Sequence, residues 1–247
     1  MIDAHVHVGW FSRKKTGLHY YSPRRVIGIL DRCGVDAFIV SSTTAQAVGA
    51  KIDDVLNEAE EIRRIAGCRA RIFYWLSGQF YAIDKNLGVL DMGIFDGIKL
   101  HEGEGHWVEH RWADLMRILS LVERRRLPVQ FHSGPGKFCS PNTLMQFAQR
   151  FPGIHFDFAH CRPMDEMARV MALCPNVWTD VAYIDLRGMV ELMGYTWFDR
   201  LMFGSDVPVW QAHDEVLLTR RYRAMRRYFL KTGLSKSSDK AFQSFIH

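Results

Sequence analysis

The feature of this sequence that most constrains its fold is a repeated alternation of short β-rich runs with amphipathic helical segments. Eight such runs predict strands, at residues 2–7, 36–41, 71–77, 95–101, 128–133, 154–160, 177–183 and 200–206. Apolar residues recur at helical spacing between them, for example at 52–66 and 111–126. Eight β/α units in 247 residues are typical of a (β/α)8 barrel. We therefore predict an α/β fold, with a single TIM barrel domain over residues 1–247.

An open, doubly wound sheet is the alternative architecture for the same alternation. A nucleotide-binding sheet of that kind needs a glycine-rich phosphate turn after its first strand. The corresponding segment, residues 9–15, reads GWFSRKK and lacks the G-x-G-x-x-G pattern. The barrel is therefore the favoured prediction.

The first predicted strand carries two histidines, His5 and His7, separated by one residue. Residues two apart on a strand point to the same face, so both imidazoles reach one place. Two convergent neutral imidazoles can form half of a transition-metal site. Taken alone, the pair fits equally well two hydrogen-bonded histidines at the end of a buried strand.

Ionisable residues also end four further predicted strands. Active sites of (β/α)8 barrels lie at the carboxyl ends of the strands, and an unpaired charge in a core costs several kcal/mol. Buried strands therefore have little reason to end in charged groups unless those groups share a site. The residues are Lys99 and His101 on the fourth strand, His132 on the fifth, His160 on the sixth and Asp206 on the eighth. We predict a metal centre at this rim, with Lys99 alternatively in a structural ion pair and His101 outside the ligand group.

Five short motifs resemble those of the amidohydrolase superfamily. They are His5-x-His7, GIKLH at 97–101, FHSG at 131–134, AHC at 159–161 and FGSDVP at 203–208. The branch most similar is the amidohydrolase-related group, which also includes aminocarboxymuconate-semialdehyde decarboxylase. The similarity spans nearly the whole chain in the family's order. It implies a divalent metal bound by His5, His7, His132 and Asp206, while His160 polarises substrate or water or binds a second metal.

Lys99 distinguishes this chain from the TatD-like nucleases, which share the barrel but usually have a glutamate there. In some superfamily members the lysine is carbamylated and bridges two metals, whereas in the amidohydrolase-related branch it is commonly unmodified. The resemblance therefore implies one metal. A second metal bound by His160 and Lys99 remains the alternative.

Three imidazoles and one carboxylate around an open position suit Zn²⁺ and also accept Mn²⁺, Ni²⁺ or Fe²⁺. Such a metal would activate a water molecule to attack an amide, lactone or ester. Asp206 would transfer the proton and His160 would stabilise the developing oxyanion, with Lys99 as the third catalytic candidate. The alternative reaction is metal-dependent, non-oxidative decarboxylation of an aromatic or unsaturated carboxylic acid. Hydrolysis is favoured because the chain is short for the decarboxylases.

Residues near the strand ends indicate a class of substrate. Trp10 and Trp210 could form apolar walls, and Arg162, which closely follows His160, could bind a carboxylate. We therefore expect a small anionic metabolite, such as a cyclic or aromatic carboxylate.

Composition argues against several other classes. The formal charge of +5 arises largely from basic runs at 123–126 and 220–227, which lie in helical patterns and suit solvated faces better than nucleic acid. No run of eighteen apolar residues or secretion signal is visible, and five scattered cysteines indicate reduced thiols. We expect a cytoplasmic enzyme without a membrane partner, with a homo-oligomer left open. A non-catalytic or nucleic-acid-binding barrel is the outside alternative.

Overall fold

The computed structural model describes residues 1–13, 17–182, 184, 198–209 and 215–247. Within these ranges nine strands form one curled sheet in the order β2-β1-β3-β4-β5-β6-β7-β8-β9. The strands are β1 (Ile2–Arg13), β2 (Gly17–Tyr21), β3 (Ala37–Ser42), β4 (Ala70–Trp75), β5 (Gly97–Leu100), β6 (Val129–His132), β7 (Phe156–Ala159), β8 (Val177–Asp180) and β9 (Leu201–Met202). β1 pairs with β2 antiparallel, and every other pairing in that order is parallel.

The helices alternate with the parallel strands, as predicted for an α/β fold. They are α1 (Pro23–Cys33), α2 (Ile52–Ala66), α3 (Gly78–Ile83), α4 (Glu102–Gly105), α5 (Trp112–Arg124), α6 (Pro141–Arg150), α7 (Met164–Leu173), α8 (Glu215–Lys231) and α9 (Leu234–Ile246). Short 3₁₀ turns lie at Thr43–Gln46, Gly67–Arg69, Gly88–Met92 and Phe198–Arg200. None of the helices in the described ranges combines the length and the apolar character needed to cross a membrane.

All eight predicted strands are present, but the first does not end at His7. β1 follows β3 in parallel only as far as Val8, and from Gly9 to Arg13 it pairs instead with β2. Gly9 has a φ of +100°, a left-handed conformation that favours glycine, at the residue where the pairing partner changes. The prediction that His5 and His7 end the strand is therefore wrong, although both lie in the last part of its parallel section.

Backbone hydrogen bonds also join β1 to the segment that follows β9. The amides of Ala4 and His7 donate to the carbonyls of Phe203 and Val207, each at 2.7 Å. The amide of Asp206 donates to the carbonyl of His5 at 2.8 Å. The pairing places Asp206 beside the two histidines of β1, although the residues are far apart in sequence.

Helix α9 covers the amino ends of the strands. Its apolar residues Ala241, Phe242 and Phe245 join a buried cluster with Ile2 and Trp178, which lie near the starts of β1 and β8. Burying such side chains is favourable by about 25 cal/mol per Å² of apolar surface. The helix therefore lies at the end of the sheet opposite to His132 and His160, which lie at or just after the carboxyl ends of β6 and β7.

Candidate metal centre

His5, His7 and Asp206 form a compact group of potential ligands at the carboxyl end of the sheet. His5 Nε2 lies 3.0 Å from His7 Nε2 and 3.6 Å from Asp206 Oδ1, and His7 Nε2 lies 3.1 Å from that same oxygen. Zinc bonds of about 2.0–2.1 Å at tetrahedral angles place ligand atoms about 3.3 Å apart. Each residue is at most 3% exposed. The spacing and chemistry of these donors therefore fit a divalent metal ion.

Hydrogen bonds on the far side of each ring orient the two histidines. His5 Nδ1 lies 2.8 Å from Asp180 Oδ2, and His7 Nδ1 lies 3.0 Å from Ser41 Oγ. When His5 donates its Nδ1 proton to the ionised Asp180 carboxylate, the lone pair of its Nε2 faces the other donors. Partners of this kind fix the tautomer and orientation of a metal-binding histidine.

Sequence reasoning missed Asp180. The predicted strand, 177–183, placed this residue in the middle of the strand, whereas β8 ends at Asp180. The signal was an ionisable residue inside a buried β-rich run, which an apolar core does not favour. Burial raises the pKa of Asp180, the neighbouring charge of Asp157 raises it further, and Lys99 opposes both effects. A nearby metal cation would favour the ionised form.

His132 and His160 are paired with each other. His160 Nε2 and His132 Nδ1 are 3.0 Å apart, and the His160 ring stacks on that of His5 with centroids 4.8 Å apart. Among the residues that the structure describes, His132 does not belong to the compact group of His5, His7 and Asp206. His160 instead forms a second potential ligand group with His5 and Asp180.

Lys99 lies beside the ligand group, with its Nζ 3.2 Å from His5 Nε2. It is only 1% exposed, and burial lowers the pKa of its ammonium group to about 8. The carboxylates of Asp180, Asp157 and Asp206 favour the charged form and oppose that shift. Lys99 therefore places a buried amino group, with a pKa lowered toward neutrality, beside His5.

All the strand-end residues singled out in the sequence line one cavity of about 260 Å³. Its lining includes His5, His7, Lys99, His101, His132, His160 and Asp206. Burial lowers the pKa values of its histidines, and that of His101 falls to about 3. Their imidazoles are therefore neutral at physiological pH, the form that binds metals. His101 is not part of the group formed by His5, His7 and Asp206, and its ring centroid lies 4.0 Å from that of His132.

The backbone is strained at two of these positions. His160 and Asp206 have φ values of +77° and +54°, which L-residues rarely adopt. Such conformations cost about 1–3 kcal/mol each and occur preferentially at functional sites, where the surrounding structure holds them. The strain is a further reason to assign function to this end of the sheet.

The predicted substrate-binding residues are placed differently from one another. Trp10 lines the cavity and is 40% exposed. Arg162 is half-buried beside Gly134 and is not among the residues that line the cavity. It nevertheless lies close to His132, since both side chains approach Gly134, and its charge adds to the lowering of the pKa values of His132 and His160 that burial causes. Trp210 lies outside the described residues.

A larger cavity, of about 460 Å³, adjoins the first and shares Trp10 with it. Acidic side chains such as Glu58 and Glu61 line it, and no histidine occurs among its lining residues in the described part of the chain. The donors for a transition metal are therefore concentrated in the smaller cavity.

Comparison with solved structures shows a widely shared fold. A probable 2-pyrone-4,6-dicarboxylic acid hydrolase from Acinetobacter baumannii, with citric acid bound, is 14% identical with a TM-score of 0.64, covering 96% of this chain and 93% of that one. A zinc-bound amidohydrolase from Burkholderia multivorans is 15% identical with a TM-score of 0.61, covering 91% and 92%. A 2,6-dihydroxybenzoate decarboxylase is 13% identical with a TM-score of 0.52, covering 89% and 91%. At these identities the similarity establishes the fold alone.

Sequence comparison gives the family. No functionally curated protein matches the sequence significantly. The family model described as amidohydrolase matches residues 89–231, which is more than half of the chain and includes Lys99, His132, His160 and Asp206. The chain therefore belongs to the amidohydrolase family and is an enzyme.

Proposed function

We propose that this enzyme is a metal-dependent hydrolase that cleaves an amide, lactone or ester of a small anionic metabolite. The observation that carries the proposal is the group formed by His5, His7 and Asp206, whose donor atoms lie 3.0–3.6 Å apart. We further propose that residues 1–247 form one closed (β/α)8 barrel. The hydrogen bonds between β1 and residues 203–207 support that closure.

His5, His7 and Asp206 would hold the metal. The family resemblance implies His132 as a further ligand, although it lies outside this compact group and contacts His160. We propose Zn²⁺, because imidazole and carboxylate donors suit it and because the solved neighbour from Burkholderia multivorans contains it. A bound divalent metal supplies Lewis-acid activation of water and of the substrate carbonyl. His160 and Lys99 are the candidates for a second ion.

The side chains around the metal would perform the proton transfers. The carboxylate of Asp206, through the oxygen that is not bound to the metal, would accept the proton of the attacking water and return it to the leaving group. Neutral His160 would donate a hydrogen bond to the developing oxyanion, a contribution of about 3–4 kcal/mol for one donor. Lys99, whose Nζ lies 3.2 Å from His5 Nε2, would donate a hydrogen bond to negative charge on the substrate.

Two observations support an anionic substrate. Lys99 places a buried amino group in the cavity, and Arg162 lies near its histidine wall. The solved neighbour from Acinetobacter baumannii holds citric acid, a polycarboxylate. Trp10 would pack against the apolar part of a cyclic or aromatic carboxylate.

Decarboxylation is the second candidate reaction. A cavity that holds both a metal and Lys99 could bind a carboxylate that is then released as CO₂. Because the fold is similar to that of a 2,6-dihydroxybenzoate decarboxylase, the experiment below also measures decarboxylation.

The test is a screen of zinc-reconstituted protein against lactones, N-acyl compounds and aromatic acids, with acid release and CO₂ release followed separately. We expect acid release from at least one substrate class. Asp206→Asn should abolish it, whereas Asp165→Asn, on an exposed residue of α7, should leave it unchanged. CO₂ release alone would favour the decarboxylase, and turnover that Asp206→Asn leaves unaffected would contradict the proposed site.

A further inference from the structure

We propose that His106, Glu109 and His110 form a second, surface metal site for a transition ion such as Zn²⁺. These residues lie between β5 and α5, outside the cavity that contains His5. The proposal does not depend on the proposed function, because it concerns binding by a separate group of side chains.

The geometry of the group matches that of a metal site. Glu109 Oε2 lies 3.5 Å from His106 Nδ1 and 3.5 Å from His110 Nε2, and all three ligand atoms lie within 4.8 Å of one another. A tetrahedral zinc site separates its ligand atoms by about 3.3 Å. The two distances to Glu109 are therefore close to that spacing, and side-chain rotations that bring the imidazole nitrogens closer together would let all three residues share one ion.

The backbone that carries these ligands is held in place by buried contacts. The carboxylate of Glu102 accepts hydrogen bonds from the amides of Val108 and Glu109, at 2.8 and 3.0 Å. Trp107 is completely buried and packs edge-on against Tyr81, with ring centroids 5.9 Å apart. Because the turn is fixed before any ion binds, only the side-chain rotamers remain to be ordered.

The donor set indicates the class of ion. Two imidazoles and one carboxylate suit Zn²⁺, Ni²⁺ and Cu²⁺, whereas Ca²⁺ and Mg²⁺ prefer sites built from oxygen ligands. The three side chains are 35–66% exposed, so water can complete the coordination. The same loop begins with His101, which lines the first cavity, so an ion bound here would cross-link the segment that forms part of the cavity wall.

The test is a zinc titration of the full, metal-stripped chain in competition with a chromophoric chelator. We expect wild type to bind one more equivalent of Zn²⁺ than the His106→Gln/His110→Gln variant. A control variant, His247→Gln, removes another exposed histidine and should retain the wild-type stoichiometry. Glu109→Gln should weaken the additional site by at least about 10-fold, because it removes one of three protein ligands.

Equal stoichiometry in wild type and the double variant would overturn the proposal. The exposed positions make misfolding a minor concern, and the melting temperature of each metal-free variant checks it. If the double variant is unstable, His110→Gln alone provides the same comparison through its zinc affinity. If the site at His5 and His7 binds no metal, wild type should still bind one equivalent more than the double variant. Failure of the proposed function can therefore be distinguished from failure of this proposal.

Discussion

Asp180 should control the affinity of the proposed metal centre through its contact with His5. Its Oδ2 lies 2.8 Å from His5 Nδ1, while Oδ1 accepts hydrogen bonds from the amides of His160 and Ala182 at 3.2 and 2.8 Å. In Asp180→Asn the amide oxygen can retain both backbone contacts. The NH₂ group then faces His5 Nδ1, and a donor in that place favours the tautomer with its proton on Nε2. A proton on Nε2 would block the lone pair with which His5 would bind the metal.

The size of the effect follows from this geometry. Loss of a hydrogen-bonding partner behind a metal-binding histidine costs about 10- to 100-fold in affinity, which is about 1.4–2.7 kcal/mol. Because Asp180→Asn retains both backbone hydrogen bonds, we expect no larger effect from a change in structure. We therefore expect the zinc dissociation constant of Asp180→Asn to rise by one to two orders of magnitude.

Competition with a chromophoric chelator at pH 7.5 would measure the dissociation constant. The ¹⁵N chemical shifts of the His5 ring would report the tautomer directly. Ser41→Ala is the matched control, since it removes the corresponding bond to His7 Nδ1 but from an uncharged hydroxyl. Its effect should be smaller than that of Asp180→Asn. A zinc affinity within twofold of wild type, or a His5 tautomer that does not change, would refute the reasoning.

Three further predictions concern the centre and the fold. His7→Ala should lose one equivalent of zinc by elemental analysis, together with all turnover, and retention of that equivalent would exclude His7 as a ligand. Gly9→Ala should lower the free energy of unfolding in urea by about 2–5 kcal/mol, because φ is +100° and the added Cβ would lie 2.5 Å from Thr44 Oγ1. Gly28→Ala, inside helix α1, should instead raise it by about 0.5–1 kcal/mol, and equal effects would contradict the steric argument. Burial raises the pKa of Asp157 to about 6, so the folded state binds its proton more tightly and stability falls as pH rises from about 4 to 6. Asp157→Asn should therefore stabilise the metal-free protein, and the rise in melting temperature over wild type should be larger at pH 8 than at pH 4. An equal rise at both pH values would count against the raised pKa of Asp157.

The sequence predicted those features that depend on local periodicity. His5 and His7 share a face because side chains alternate along a strand, and their Nε2 atoms lie 3.0 Å apart. The strand-end rule likewise predicted that Lys99 and Asp206 would share a cavity with the two histidines, although Asp206 lies four residues beyond the end of β9. These inferences need only the position of a residue along its strand.

Features set by side-chain packing were not predictable in the same way. Asp180 was missed because the predicted strand extended three residues too far, so its carboxylate did not stand out as a strand-end group. The contact between His132 and His160 depends on ring rotamers, which neighbouring side chains determine. The hairpin of β1 and β2 was missed because residues 9–15 contain a glycine and basic residues that suggest a loop.

The hydrogen bonds between β1 and the last part of the chain cannot form until late in biosynthesis. The amide of Ile2 donates to Asp239 Oδ1, 237 positions away in sequence, and Ala4 and His7 donate to residues 203 and 207. Because the ribosome releases β1 long before it synthesises these partners, the backbone amides of β1 lack these hydrogen bonds in the meantime. Contacts of such high sequence separation form late, because closing the intervening loop costs chain entropy. A metal ion held by both His5 and Asp206, as proposed above, would therefore bind tightly only once these two parts of the chain have come together, which would make metal uptake a reporter of completed folding.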